Sequence, residues 1–286
     1  MKIIKNPSKR VYQLYLHFCK FKGLFHSKPD FLIIGGEKCG TTSLYEYLIK
    51  HPNVLPAKGK EVYYFDYKFQ NGFGWYKTFF PKILTKKIIG LTKNKKILSG
   101  EATPRYLNHP HAPKRILELL PNVKLIILLR NPIDRAFSHY NMEFDQGRET
   151  LSFKDSIEHE DERIIPEYEK MKQNKNYYGR KYYWYSHVEA GIYIKYLKRW
   201  IEMFPKNQLL VVKSEDLFEK TTETYNKVLE FLGLTYYELP GYKKFRERQN
   251  SEKLDPELRK KLSIFFKPHN EELYKFLEKD FAWEHK

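Results

Sequence analysis

The stretch FLIIGGEKCGTTSLYEYLIKHP, residues 31–52, decides how this chain is read. It opens as an apolar run, passes through a glycine-rich turn and continues with the spacing of an amphipathic helix. Such a strand–turn–helix offers unpaired backbone N–H groups and the positive end of a helix dipole to an anion. Gly36 and Gly40 let the main chain approach that anion, and Thr41, Thr42 and Ser43 add hydroxyl donors where the helix begins. The usual phosphate-binding pattern is G-x-x-x-x-G-K-[ST]. Counting from Gly35 reaches Gly40 and then Thr41, where that pattern has lysine; here the lysine stands three residues early, at Lys38. The loop reads as a phosphate cradle whose cation has moved onto the turn.

Outward from this stretch the chain keeps an α/β rhythm. Apolar strands are expected at 31–35, 97–99, 123–129 and 208–212, and helices at 41–51, 132–146, 187–204 and about 221–232. Short, wholly apolar strands between helices indicate a central parallel sheet with helices on both faces. No repeat or Gly/Ser-rich linker divides the chain, so residues 30–286 are read as one domain. Residues 1–29 are read as a basic, amphipathic N-terminal extension, with Val11, Leu14, Tyr15, Phe18 and Phe25 near helical spacing and lysines between them. Two stretches, 53–96 and 151–186, break the rhythm and are taken as long irregular connections that contact substrate.

Composition narrows the partners. Lys and Arg number 52 against 35 Asp and Glu, a net charge of +17 that is not gathered in a tail, so a nucleotide, a polyanion or an anionic membrane is expected to bind. Cys19 and Cys39 are the only cysteines, too few for a disulfide framework or a Cys-rich zinc site. Of the histidines, His109 and His111 form the closest pair; on a Pro-flanked turn without a Cys or carboxylate cluster they read as structural, and no metal is expected. His17, Lys20 and Lys22 interrupt the segment 11–25, which is neither a signal core nor a membrane span. These features suit a cytoplasmic protein whose N-terminal extension makes peripheral membrane contact.

A second anion site follows from RNPIDRAFSHY, residues 130–140. The strand before it ends in Arg130, and the chain shows no strand ending in the aspartate with which a magnesium-dependent nucleotidase helps hold its metal. Asn131 suits an N-cap and Pro132 a first helical position. Arg130 and Ser138 then both reach the crevice beyond the carboxyl ends of the strands, and can hold a second phosphate without metal.

Taken together, GGEKCGTTSLYEYL resembles the 5′-phosphosulfate loop of sulfotransferases, and LRNPIDRAFSHY resembles their 3′-phosphate motif. KEVYYFD (60–66), GWYKTFFP (74–81) and the C-terminal LDPELRKKLSIFFKPHNEELYKFLEKDFAWE are similar to the carbohydrate branch of that family, which includes heparan sulfate sulfotransferases, and to its bacterial relatives. The likeness runs from about residue 30 to 284. It implies a P-loop-like three-layer fold, 3′-phosphoadenosine 5′-phosphosulfate (PAPS) as donor and adenosine 3′,5′-bisphosphate (PAP) as product. Lys38 would neutralise the leaving oxygen and Glu61 would be the base for an acceptor hydroxyl, with Glu101 the next candidate. Tyr193 and a basic loop carrying Arg246 and Arg248 join the donor site. Lys60, Tyr63, Arg105, Tyr183 and Trp184 join the acceptor site for a carbohydrate-like or glycolipid substrate. The chain departs from the heparan-type pattern at Tyr63, where that pattern has histidine, and at Ala102, where it has lysine; both bear on acceptor recognition, and Arg105 stands near enough in sequence to restore positive charge. Two other readings compete. A small-molecule kinase needs lysine at position 41. A nucleic-acid-binding module would use the Tyr-rich stretch 177–185, but no such fold signature is present, so nucleic acid is not an expected partner.

Overall fold

In the computed structural model, which describes residues 9–242 and 254–285, side chains alternate across a five-stranded sheet. In β1 (Phe31–Gly35), Leu32 and Ile34 enter one core, with Tyr64, Tyr76 and Trp200, while Phe31 and Ile33 enter another, with Leu44, Tyr47, Tyr225 and Leu229. β4 (Lys124–Leu129) does the same, with Leu125, Ile127 and Leu129 on the first face and Ile126 and Leu128 on the second. A strand buried on both faces has no solvent side, which is why these runs are continuously apolar. Each such buried side chain contributes roughly 1.5–3 kcal/mol.

The strand order is β2-β3-β1-β4-β5, with β2 Val54–Pro56, β3 Leu98–Ala102 and β5 Leu209–Lys213, and every pairing is parallel. Register is set by pairs such as Leu32 with Glu101 and Leu125 with Leu209. Helices α5 (Ala112–Leu119) and α10 (Tyr193–Met203) cover the first face, and α2 (Thr41–Leu48) and α12 (Thr221–Leu232) the second. The expected three-layer α/β architecture is what forms. From β1 the chain crosses through α2 toward β2, and from neighbouring β4 it goes the opposite way, to β5. Connections that diverge from adjacent strands open a crevice beyond their carboxyl ends.

Asn131 caps α6 (Pro132–Asp145): its Oδ1 accepts the N–H groups of Ile133 and Asp134 at 3.0 and 3.3 Å. The strand expected at 97–99 extends to Ala102. Two larger expectations are corrected. Residues 53–96 are not an irregular connection: they hold β2, the short α3 (Phe73–Lys77) and α4 (Ile83–Lys93). Residues 151–186 are mostly helical, as α7 (Phe153–Glu158), α8 (Glu160–Gln173) and α9 (Arg180–Tyr185). Ile164, Met171, Tyr182 and Tyr183 give this excursion a small core of its own. The polar surface hid a one-sided apolar stripe. At the chain's start, α1 (Lys9–Lys22) lies against α3 through buried Cys19, and Gly23 and Gly74 touch so closely that a Cβ on Gly23 would meet the Gly74 carbonyl oxygen at 2.3 Å. His111 donates its backbone N–H to buried His109 and its ring contacts the Met171 carbonyl, so the pair braces turns. α11 (Ser214–Glu219) and α13 (Pro256–Leu277) complete the helices used below.

Candidate active site

The loop between β1 and α2 turns on two left-handed residues. Lys38 has φ 67° and Gly40 φ 87°, and Gly40 is the residue before the first turn of α2. A Cβ on Gly40 would meet the Phe218 ring at 2.9 Å, so glycine is required both by conformation and by the approach of α11. Cys39 is buried within the loop with Sγ 3.7 Å from the Tyr193 hydroxyl, and burial raises its thiol to about 11. A protonated, enclosed thiol is packing, not a nucleophile.

Arg130 leaves the end of β4 and donates from Nη1 to the Lys38 carbonyl at 3.3 Å. The expected second anion-holding cation thus sits against the first loop. Tyr193, expected at the donor site, is 1% exposed, and its hydroxyl donates to the Arg130 carbonyl at 2.8 Å. It anchors the strand end rather than offering a free donor. Ser138 is half-buried on α6, two turns beyond Asn131. Glu215, which sequence reading missed, accepts the Asn131 N–H at 2.8 Å and ties α11 to the same corner.

The second half of the site is laid along the end of β3. Ala102 N–H donates to the Lys60 carbonyl at 3.1 Å, and Tyr63 N–H donates to Thr103 Oγ1 at 3.4 Å. These bonds hold the 60–63 segment beside the donor loop. Lys60 Nζ then donates to Thr42 Oγ1 at 2.8 Å and pairs with Glu61 Oε1 at 2.6 Å. One lysine therefore joins the first turn of α2 to the expected base. The Tyr63 hydroxyl donates to the other Glu61 oxygen, and burial, followed by the Glu61 charge, raises the Tyr63 phenol well above its ordinary range.

Arg105 fills the space opposite. It pairs with Glu37 of the loop at 3.5 Å, donates to the Tyr178 hydroxyl at 2.8 Å, and lies over the rings of Tyr183 and Tyr63 at 5.0 and 5.8 Å. Tyr183 is 3% exposed, so it supports Arg105 from beneath and presents no open face. The Trp184 ring lies against Tyr185 and Arg148, apart from this group. Glu37 and Tyr178 were not anticipated; each acts through a partner more than 60 residues away, and no local pattern marks such a pair. Glu101, the alternative base, is fully buried and accepts hydroxyl hydrogens from Thr103, Tyr106 and Tyr76 at 2.6, 2.9 and 3.2 Å. It organises the floor of the site and cannot face an acceptor. Arg246 and Arg248 lie outside the described residues. Among the described residues no group of three or more His, Cys, Asp or Glu side chains is placed to hold a metal.

Arg130 thus lies against the β1–α2 loop and Lys60 links that loop to the Glu61 carboxylate; comparison with known proteins gives the class of a chain so arranged. A model of the sulfotransferase domain matches residues 28–280, and the chain belongs to the sulfotransferase family. It is 26% identical to the membrane-associated sulfotransferase kil1 of Dictyostelium discoideum and 28% identical to human heparan sulfate glucosamine 3-O-sulfotransferase 3B1, each alignment covering 90% of this chain. The chain spans about two thirds of the length of these relatives, 66% and 65%. A sulfotransferase crystal structure from Alicyclobacillus acidocaldarius superposes with a TM-score of 0.68 at 27% identity, covering 91% of this chain and all of that one.

Proposed function

We propose that this chain moves the sulfuryl group of PAPS to a hydroxyl or amine of a carbohydrate-like acceptor. The observation that carries this reading is the Lys60 junction, in which one ammonium touches both Thr42 of the donor loop and Glu61. Donor cradle and base are thereby set at a fixed separation, the arrangement an in-line transfer requires. The backbone of residues 36–42 and the Arg130 guanidinium suit the two anionic ends of the donor. The acceptor oxygen attacks sulfur as the bond from sulfur to the bridging oxygen breaks. Glu61 takes the acceptor's proton, and the Lys38 charge stabilises the oxygen left on the nucleotide. With no covalent intermediate, the protein contributes position and charge.

A carbohydrate acceptor is supported by the named heparan sulfate relative and by Arg105 set among tyrosines, which suits an anionic sugar. The cytoplasmic expectation gains no support from the relatives, one of which is named membrane-associated. Labelled sulfate transfer from PAPS to a panel of polysaccharides and glycolipids tests the reading, with Glu61→Gln alongside. The variant should keep PAP affinity within about threefold and lose transfer roughly 100-fold, the lower end of what a positioned base supplies. Normal transfer by Glu61→Gln would place the base elsewhere; failure of the wild-type chain to bind PAP without magnesium would remove the donor assignment itself.

A further inference from the structure

Apolar exposure in this molecule is concentrated. Among the described residues, 20 large apolar side chains are strongly exposed, and 12 of them lie between residues 11 and 25 or between 83 and 91. These two segments are neighbours. His26 bridges Lys82, and Ser27 N–H donates to the Pro81 carbonyl at 2.9 Å, so the turn after α1 runs beside the start of α4. Leu14, Phe18, Phe21 and Leu24 on one side and Ile83 and Leu84 on the other are each more than half exposed, with Leu14 at 71%. Single exposed apolar residues are ordinary, but a contiguous group marks an interaction surface.

The charge of the same region is equally one-sided. Residues 1–29 and 67–100 contain 15 Lys and Arg and no Asp or Glu, leaving 37 cations against all 35 carboxylates in the rest of the chain. Nearly the whole net charge of +17 therefore belongs to the two segments that carry the exposed apolar groups. Asp30, at the edge of this region, is neutralised by Lys86 at 2.6 Å.

We propose that α1, the turn after it and α4 form a docking face for an anionic lipid membrane. Interfacial helices combine large apolar side chains with a rim of lysines and no acidic residues, as here. Each basic residue at an anionic surface strengthens attachment roughly fivefold, and the apolar groups add burial in the acyl boundary. A protein partner fits less well, because interface cores are depleted in lysine. A polyanionic glycan would engage the lysines but gain nothing from Phe18, Phe21 or Leu84. No helix among the described residues is long and apolar enough to cross a membrane.

Flotation with phosphatidylcholine vesicles, with and without one third phosphatidylserine, tests this independently of any transfer activity. The protein should float with the anionic vesicles and release them at high salt. Phe18→Glu/Phe21→Glu/Leu84→Glu and, separately, Lys82→Glu/Lys87→Glu should each lower the partition coefficient at least tenfold. All five sites are exposed, and unchanged thermal melts would show the fold intact. The proposal is overturned if the protein does not float with anionic vesicles, or if the triple apolar variant floats like wild type. A concentration-dependent dimer, or retention on a sulfated polysaccharide, that these substitutions abolish while vesicle binding is absent would assign the face to that occupant instead.

Discussion

Lys38 is the residue to which the proposed function gives the charge on the leaving oxygen, and its backbone shows why that role can be tested cleanly. With φ 67° it already holds a Cβ in the left-handed region, so Lys38→Ala adds no new strain. Turnover should fall roughly 100-fold or more, the usual scale for one preorganised charge stabiliser, while the melting temperature stays put. A variant with near-normal turnover would mean the leaving oxygen is stabilised by another group. At this scale the sequence was informative where residues act through neighbours in the chain: Lys38, Thr42, Lys60 and Glu61 fall within two short motifs. It was silent on Glu37 with Arg105 and on Tyr178, whose roles exist only once β3, the donor loop and the stretch before α9 are folded together.

Among the elements, the turn into α2 is held from outside. Gly40 is in the left-handed region and touches Phe218 of α11, so Gly40→Ala should lower the melting temperature by a few degrees and weaken PAP binding together. Gly59→Ala is the control, since a Cβ there meets nothing within 4 Å. If both variants melt alike, the Phe218 contact does not constrain the loop. β1, β4, β5, α2, α6 and α12 were legible because long apolar runs, a glycine turn or an N-cap announced them. β2 is three residues ending in proline, too short for any pattern to register. α8 has Pro166 within it and only a narrow buried face, which made a helix look like a polar loop.

For the whole molecule, the buried carboxylates predict how stability follows pH. Burial, only partly offset by hydrogen bonds from Thr103, Tyr106 and Tyr76, raises Glu101 to about 7. The folded state holds this proton more tightly than the unfolded chain, so stability from this group is present below about pH 4.5 and drains away as pH climbs to 7. Glu101→Gln should remove that loss, on the order of 3 kcal/mol, and melting curves from pH 4.5 to 8 should show the variant gaining on wild type. A constant difference would mean Glu101 ionises as an ordinary surface carboxylate does. Glu149 works in the other direction. Burial alone would raise it, but hydrogen bonds from His187, Arg163 and the backbone of Leu151 and Thr150 hold it at about 2, so its contribution is lost only as pH falls from 4.5 toward 2.

The two excursions that sequence reading took for loose connections bear on how such a protein diversifies. The first, 53–96, carries Lys60, Glu61 and Tyr63, and the second, 151–186, carries Tyr178 and Tyr183, while the chain leaving β1 and β4 carries the glycine loop and Arg130. The later excursion packs around its own small core of Ile164, Met171, Tyr182 and Tyr183. Both excursions are tied to the β1–α2 loop, the first through Lys60 to Thr42 and the second through Arg105 to Glu37, so under the proposed function a change on the acceptor side is felt on the donor side. A graft that exchanged residues 151–186 with those of a relative would keep the strand ladder but take Tyr178 and Tyr183 from Arg105, and the Glu37 end of the loop would shift with them.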